Sequence, residues 1–178
     1  MKSKLKDVID MNAINEEKLF QAVLMDIRES ILKEVCECMK SDDKKMAEVK
    51  AIYCRQSDND TATRIVVHNI CHLEMPDDDI EWLTTCILAF FHKRPRRATI
   101  SPAVKKGLLQ KQANRCAICG RTISDETLHV DHIVPWDYVG DELNNNYQAL
   151  CSACNGHKSN HVAESVKNLV FTQCLRGC

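Results

Sequence analysis

The sequence predicts an α+β protein: an α-helical N-terminal domain followed by a small β-β-α unit stapled by four cysteines. Three observations predict it. Apolar residues recur at helical spacing through much of residues 13–91. Two C-x-x-C pairs stand in the second half, separated by 31 residues. Between them lies a β-leaning run, LHVDHIVPWD at 128–137, that ends at Pro135.

The helices come first. Leu19, Val23, Ile27, Ile31, Val35 and Met39 recur at four-residue steps with Glu, Lys and Arg between them, which predicts a helix over 13–40 with Asn12 as N-cap. After the Ser41-Asp42-Asp43 turn, a second helix carries Met46, Val49, Ile52 and Tyr53 inward. SDNDT at 57–61 reads as a loop, and ATRIVVHNICHL at 62–73 fits either helix or strand. PDDDIEWLTTCILAFF at 76–91 opens on aspartates suited to a helix N-terminus and continues as a strongly apolar helix. Residues 1–92 are therefore expected to form an α-helical domain for a protein partner or for self-association. Residues 93–101 form a basic linker, and 102–178 a second domain.

Composition agrees with a soluble globular chain, 44% apolar and 28% charged over 178 residues. No run of 18 apolar residues predicts a membrane span. The opening MKSKLKDVIDMNAINEE lacks the apolar centre of a signal peptide, so a cytoplasmic location is expected. With that, the uneven count of eleven cysteines argues against a disulfide framework. Cys36, Cys38, Cys54, Cys71, Cys86, Cys174 and Cys178 are scattered, mostly among apolar neighbours, and read as core or incidental.

The net charge of −1 conceals a division. Residues 1–91 carry 12 Lys/Arg against 18 Asp/Glu, and residues 92–178 carry 12 against 7. From His92 to Arg115 there are eight Lys/Arg and no acidic residue. Such a run is either a solvated linker or a phosphate-contacting surface. Its place just ahead of the cysteine pairs favours the second, with Arg94, Arg96, Arg97, Lys105 and Lys106 as candidate contacts. Ser101-Pro102 is a good N-cap and first-turn pair for a short helix over 102–113.

CAIC at 116–119 and CSAC at 151–154 bring chemistry. A two-residue spacer turns both sulfurs of a pair to one side, so Cys116, Cys119, Cys151 and Cys154 can close a tetrahedral Zn²⁺ site. Redox pairs of the thioredoxin kind are the alternative. Four thiolates leave no open position, so this zinc is structural. The insert reads as a strand, a turn at Ser124-Asp125, a second strand holding Asp131-His132, and then a loop through Asn146 to Leu150. A helix-compatible stretch, NGHKSNHVAESVKNLVF, follows the second pair.

Asp131-His132, Asn146 and Asn155, inside VDHIVP…NNNYQALCSACNGHKS, resemble the HNH (ββα-metal) endonuclease signature in its CxxC/CxxC zinc-stapled variant. Thirteen residues separate His132 from Asn146 and eight separate Asn146 from Asn155, close to the usual intervals of the family. The resemblance covers roughly 110–165. It implies hydrolysis of a DNA phosphodiester, duplex most of all, in restriction or anti-phage defence. His132 is implied as the base that activates water and Asn146 as the residue that orients it. Asp131 and Asn155 are implied as oxygen ligands of one catalytic Mg²⁺ or Mn²⁺. Lys158 and, more weakly, Arg121 match phosphate-contact positions. The position of a further metal-binding histidine in many relatives is Ser159 here, which supports the magnesium version. His129, His157 and His161 receive no catalytic role, and Trp136 is read as packing over the loop or, less simply, as a base-stacking surface. An effector subunit docked on a partner, or a zinc-dependent binding module without catalysis, are the other readings.

Overall fold

The computed structural model describes residues 16–158, and the expected cap at Asn12, His161, Cys174 and Cys178 lie outside them. The elements run α1 (Glu16–Ser41), α2 (Asp43–Arg55), α3 (Asn59–Cys71), α4 (Asp77–His92), α5 (Pro102–Lys111), β1 (His129–His132), α6 (Trp136–Val139), β2 (Tyr147–Leu150) and α7 (Ser152–Lys158). They fall into two compact units. Among the described residues, one comprises 27–98 with 134–145 and the other comprises 16–26, 99–133 and 146–158. No helix among the described residues is long and apolar enough to cross a membrane.

The helical unit is organised by caps and an apolar seam. Asp42 accepts from the Lys44 N–H at 2.8 Å and Asp58 from the Thr61 N–H at 2.8 Å, each satisfying an amide at a helix start that has no partner within the helix. The Asp58 cap starts α3 at Asn59, inside the stretch expected as a loop. It also settles the ambiguous 62–73 stretch as helix. Ala62, Thr63, Val66 and Val67 are buried there, a 3.6-residue pattern rather than a two-residue one. α3 stops at His72, whose φ of 56° is left-handed. Leu32, Val35, Cys36 and Met39 of α1 are buried, as are Ile80, Leu83, Cys86 and Ile87 of α4. A polar chain also runs through this unit. The Thr84 hydroxyl lies 2.7 Å from Asp60 Oδ1 and 2.7 Å from Thr63 Oγ1, which in turn meets the Tyr53 hydroxyl at 2.7 Å.

The last part of the helical unit is a strap. Residues 93–98 lie against the segment around α6, which starts at Pro135 and ends at Gly140. Lys93 Nζ donates to Asp137 O at 3.1 Å and sits 4.3 Å from the Trp136 ring centroid. Arg97 stands 5.1 Å from the same ring. The Ala98 N–H donates to Asp141 Oδ2 at 2.8 Å, and Trp136 Nε1 donates to that same oxygen at 3.0 Å. Gly140 has φ of 60°, and a Cβ there would stand 2.8 Å from Lys93 Cγ, so glycine is required twice over.

In the other unit the strand pairing differs from expectation. β1 and β2 are antiparallel, with His129 opposite Leu150, Val130 opposite Ala149, Asp131 opposite Gln148 and His132 opposite Tyr147. The sequence places the first strand ahead of Ser124 and treats 147–150 as the end of a loop. Instead, residues 121–123 make one isolated bridge, between Thr122 and Arg115. Their backbone is engaged with the first knuckle: the Cys116 N–H donates to Arg121 O at 2.9 Å and the Ile123 N–H to Asn114 O at 2.9 Å. The core here is Leu109, Ile123, Leu128, Ala149 and Leu150 with the cysteines.

Candidate metal centre and active site

The four cysteines converge. Their sulfurs lie within 4.8 Å of one another, with Cys119 Sγ 3.8 Å from Cys151 Sγ. A tetrahedron with Zn–S bonds of about 2.3 Å has edges of about 3.8 Å, so the cluster has the size zinc requires. The first knuckle is a tight turn: the Gly120 N–H donates to Cys116 O at 2.9 Å, and Gly120 adopts φ of 70°. The Ala117 N–H donates to Ala149 O at 3.0 Å, joining this turn to β2. β2 then runs directly into Cys151, and α7 begins with the second knuckle. Burial raises the Cys116 thiol, but the backbone N–H groups of Cys119, Cys151 and Ile118 outweigh it and bring its pKa down to about 7. Cys119 and Cys154 are raised, by burial above all. One stabilised thiolate among buried sulfurs is a site prepared for a cation.

α5 is locked to this zinc cradle by a side chain that the sequence reading did not single out. Gln112 Oε1 accepts from the Ala149 N–H at 2.8 Å, while its Nε2 donates to Ala149 O at 3.0 Å and to Arg115 O at 2.9 Å. The amide thus pairs with the free edge of β2 as another strand would.

Asp131 and His132 end β1, and Asn146 immediately precedes β2. His132 is 8% exposed and Asn146 3% exposed. The Ile133 N–H donates to Asn146 O at 2.8 Å, tying the residue after His132 to the start of the returning strand. Each member of the Asp131-His132 pair meets its cross-strand neighbour. Gln148 Nε2 donates to Asp131 Oδ2 at 3.1 Å, and the His132 and Tyr147 rings lie 4.7 Å apart. Strand alternation sends these two pairs to opposite faces. Lys158 of α7 touches the backbone of one residue and the side chain of the other. Its Nζ donates to His132 O at 2.8 Å and lies 3.0 Å from Asp131 Oδ2. Asn155 is one helical turn earlier, on the same side of α7 as Lys158, and is half-buried.

The expected phosphate contacts are dispersed. Lys158 is turned inward, 8% exposed, rather than presented to solvent. Arg121, Lys105 and Lys106 belong to the zinc-centred unit, with Arg121 and Lys106 exposed and Lys105 half-buried. Arg94, Arg96 and Arg97 are exposed on the strap of the helical unit, where Arg94 pairs with Glu142 at 3.5 Å and Arg97 stacks on Trp136. Of the two readings of Trp136, the packed one describes its surroundings.

Asp131 offers a carboxylate whose Oδ2 is taken by the Lys158 ammonium. The carboxylate is a hard oxygen donor, its side chain is 20% exposed, and a cationic ammonium already stands on it. Residues 116–170 match the family model described as HNH endonuclease. The match begins at the first knuckle, and the four-sulfur cluster fits the CxxC/CxxC zinc-stapled form of that family. No curated protein and no solved structure matches the chain at a significant level.

Proposed function

We propose that this chain, through its HNH domain, is a divalent-metal-dependent endonuclease that hydrolyses phosphodiester bonds of DNA. The observation that supports it most is the meeting of β1, β2 and α7 at Asp131, His132 and Lys158, beside a zinc-sized sulfur cluster. Asp131 and Asn155 would hold one Mg²⁺ or Mn²⁺, which would supply positive charge to the phosphate and the leaving oxygen. His132 takes a proton from water, the resulting oxygen bonds to phosphorus, and the P–O3′ bond breaks. A histidine suits this role because its ordinary pKa lies near neutrality. Its burial against Tyr147 limits the ring's freedom, and Asn146 fixes its orientation. Zinc at the four cysteines holds the unit without joining the reaction. Lys158, Arg121, Lys105, Lys106 and the strap arginines supply phosphate contacts, and the setting is the cytoplasm, in restriction or anti-phage defence.

The test is cleavage of plasmid DNA with Mg²⁺ or Mn²⁺. His132→Ala is expected to lower the rate by about 10²–10⁴-fold, the usual contribution of a general base. Full activity of that variant would refute the mechanism. A docking role for the N-terminal helix is favoured by Phe20, Val23 and Ile27, which are exposed at helical spacing on α1. Light scattering on purified protein is expected to show a dimer or a complex with a partner. A monomer that recovers no partner would count against it.

A further inference from the structure

Lys158 holds a place that a metal ion is expected to take. Lysine is almost never fully buried unless it is paired, and this one is buried in α7 with its ammonium on two oxygens. One of those oxygens belongs to the carboxylate proposed as the metal ligand, and it also accepts from Gln148. We propose that Lys158 is a built-in counter-cation for Asp131, which a divalent ion must displace, so that loading the metal and freeing the lysine are one exchange. The inference rests on Asp131 being the metal ligand.

Electrostatics favours the exchange over joint occupancy. An ammonium and a divalent ion on one carboxylate would stand about 3–5 Å apart in a partly desolvated site, where like charges repel strongly. Left alone, Asp131 would be a half-buried unpaired charge, so Lys158 stabilises the metal-free domain. The same contact lowers metal affinity by the fraction of time the carboxylate is occupied.

Two variants separate charge from shape. Lys158→Gln keeps an amide donor for His132 O and removes the charge, and Lys158→Met keeps the length and removes both. In calorimetric titrations of the zinc-loaded full chain, Mn²⁺ is expected to bind Lys158→Gln about tenfold or more tightly than it binds the wild type, the size of one charge-assisted hydrogen bond. In the wild type, acetylation of Lys158 by an amine-reactive ester, read by mass spectrometry against exposed Lys111, is expected to rise several-fold when Mn²⁺ saturates the site. Asp131→Asn is expected to raise that labelling without metal. Equal or weaker Mn²⁺ affinity in the folded variants would overturn the proposal, and so would wild-type labelling that ignores Mn²⁺. This labelling arm also decides the matter if both variants misfold. Wild type that cleaves DNA while failing these tests would sink the counter-cation alone. Wild type that neither binds Mn²⁺ nor cleaves would sink the nuclease reading with it.

Discussion

Cys119 Sγ stands 3.8 Å from Cys151 Sγ, so two turns far apart in the chain meet at one tetrahedral edge. Everything that positions β1, β2 and α7 is anchored at that meeting. Among the described residues the core beside it is small, being Leu109, Ile123, Leu128, Ala149 and Leu150 beyond the cysteines themselves. A core of that size does not hold a domain unaided. The purified chain is therefore expected to contain one zinc. Stripping it with a strong chelator should unfold the zinc-centred unit while leaving the helices of residues 27–98. Apparent zinc binding in small domains reaches about 10–16 kcal/mol, more than such a unit's own stability. Metal analysis and the amide spectrum of chelated protein check this, and a chelated protein with an unchanged spectrum would contradict it.

Gln112 joins α5 to the edge of β2 through both backbone groups of Ala149. Gln112→Ala takes the acceptor from the buried Ala149 N–H and one of two donors from Ala149 O, which keeps the Ala117 N–H, and should destabilise the zinc-loaded domain by about 1–3 kcal/mol. Gln112→Glu keeps the acceptor and loses the donors, so its loss should be comparable although the shape is retained. Urea midpoints give the comparison. Two variants indistinguishable from wild type would mean that the amide is replaced by water at no loss.

Much of this was legible in the sequence, and what was not has physical reasons. Spacing alone identified the knuckles, since two residues between cysteines dictate a turn. The periodicity of α1 and α4 was equally plain. Strand pairing was missed because register depends on partners far along the chain. Residues 121–123 look extended, yet their backbone groups are used by the knuckle turn, and β1 pairs with Tyr147–Leu150 instead. The ambiguous stretch at 62–73 became helix through a cap at Asp58, four residues before it. The resemblance implies a phosphate contact for Lys158, and a motif match carries no information about which way the side chain turns. Only the position of Asp131 next to α7 shows why it turns inward.

The scattered cysteines differ in chemistry. Burial pushes the Cys36 thiol up to about 12, and burial raises Cys86 as well. Both remain protonated thiols at neutral pH, out of reach of solvent. Cys54 is exposed on α2. An alkylating reagent at pH 7–8 is expected to modify Cys54 at least tenfold faster than Cys36 or Cys86, because the thiolate is the nucleophile and access is required. Peptide mapping after brief labelling distinguishes them. Early modification of Cys86 would mean that the helical unit opens readily.

The strap over Trp136 gives the last test. Lys93 and Arg97 lie on the ring, its indole N–H shares Asp141 with the Ala98 N–H, and Gly140 leaves room for Lys93. Each cation–ring contact is worth about 0.5–1 kcal/mol where solvent reaches it, and the hydrogen bond about 1 kcal/mol. Trp136→Ala removes all three and should make local opening of residues 93–98 about 10- to 100-fold more frequent. Trypsin reports this directly, because Arg96 and Arg97 lie within the strap while Pro95 shields the bond after Arg94. Cleavage there should accelerate by a similar factor if opening limits it, with global unfolding little changed. Gly140→Ala should act in the same direction, since its Cβ would collide with Lys93 and the residue would be held at positive φ. Because the strapped segment follows His132 by a few residues, both variants should also be assayed for cleavage. Faster proteolysis with undiminished activity would show that the strap secures the helical unit and has no part in the reaction.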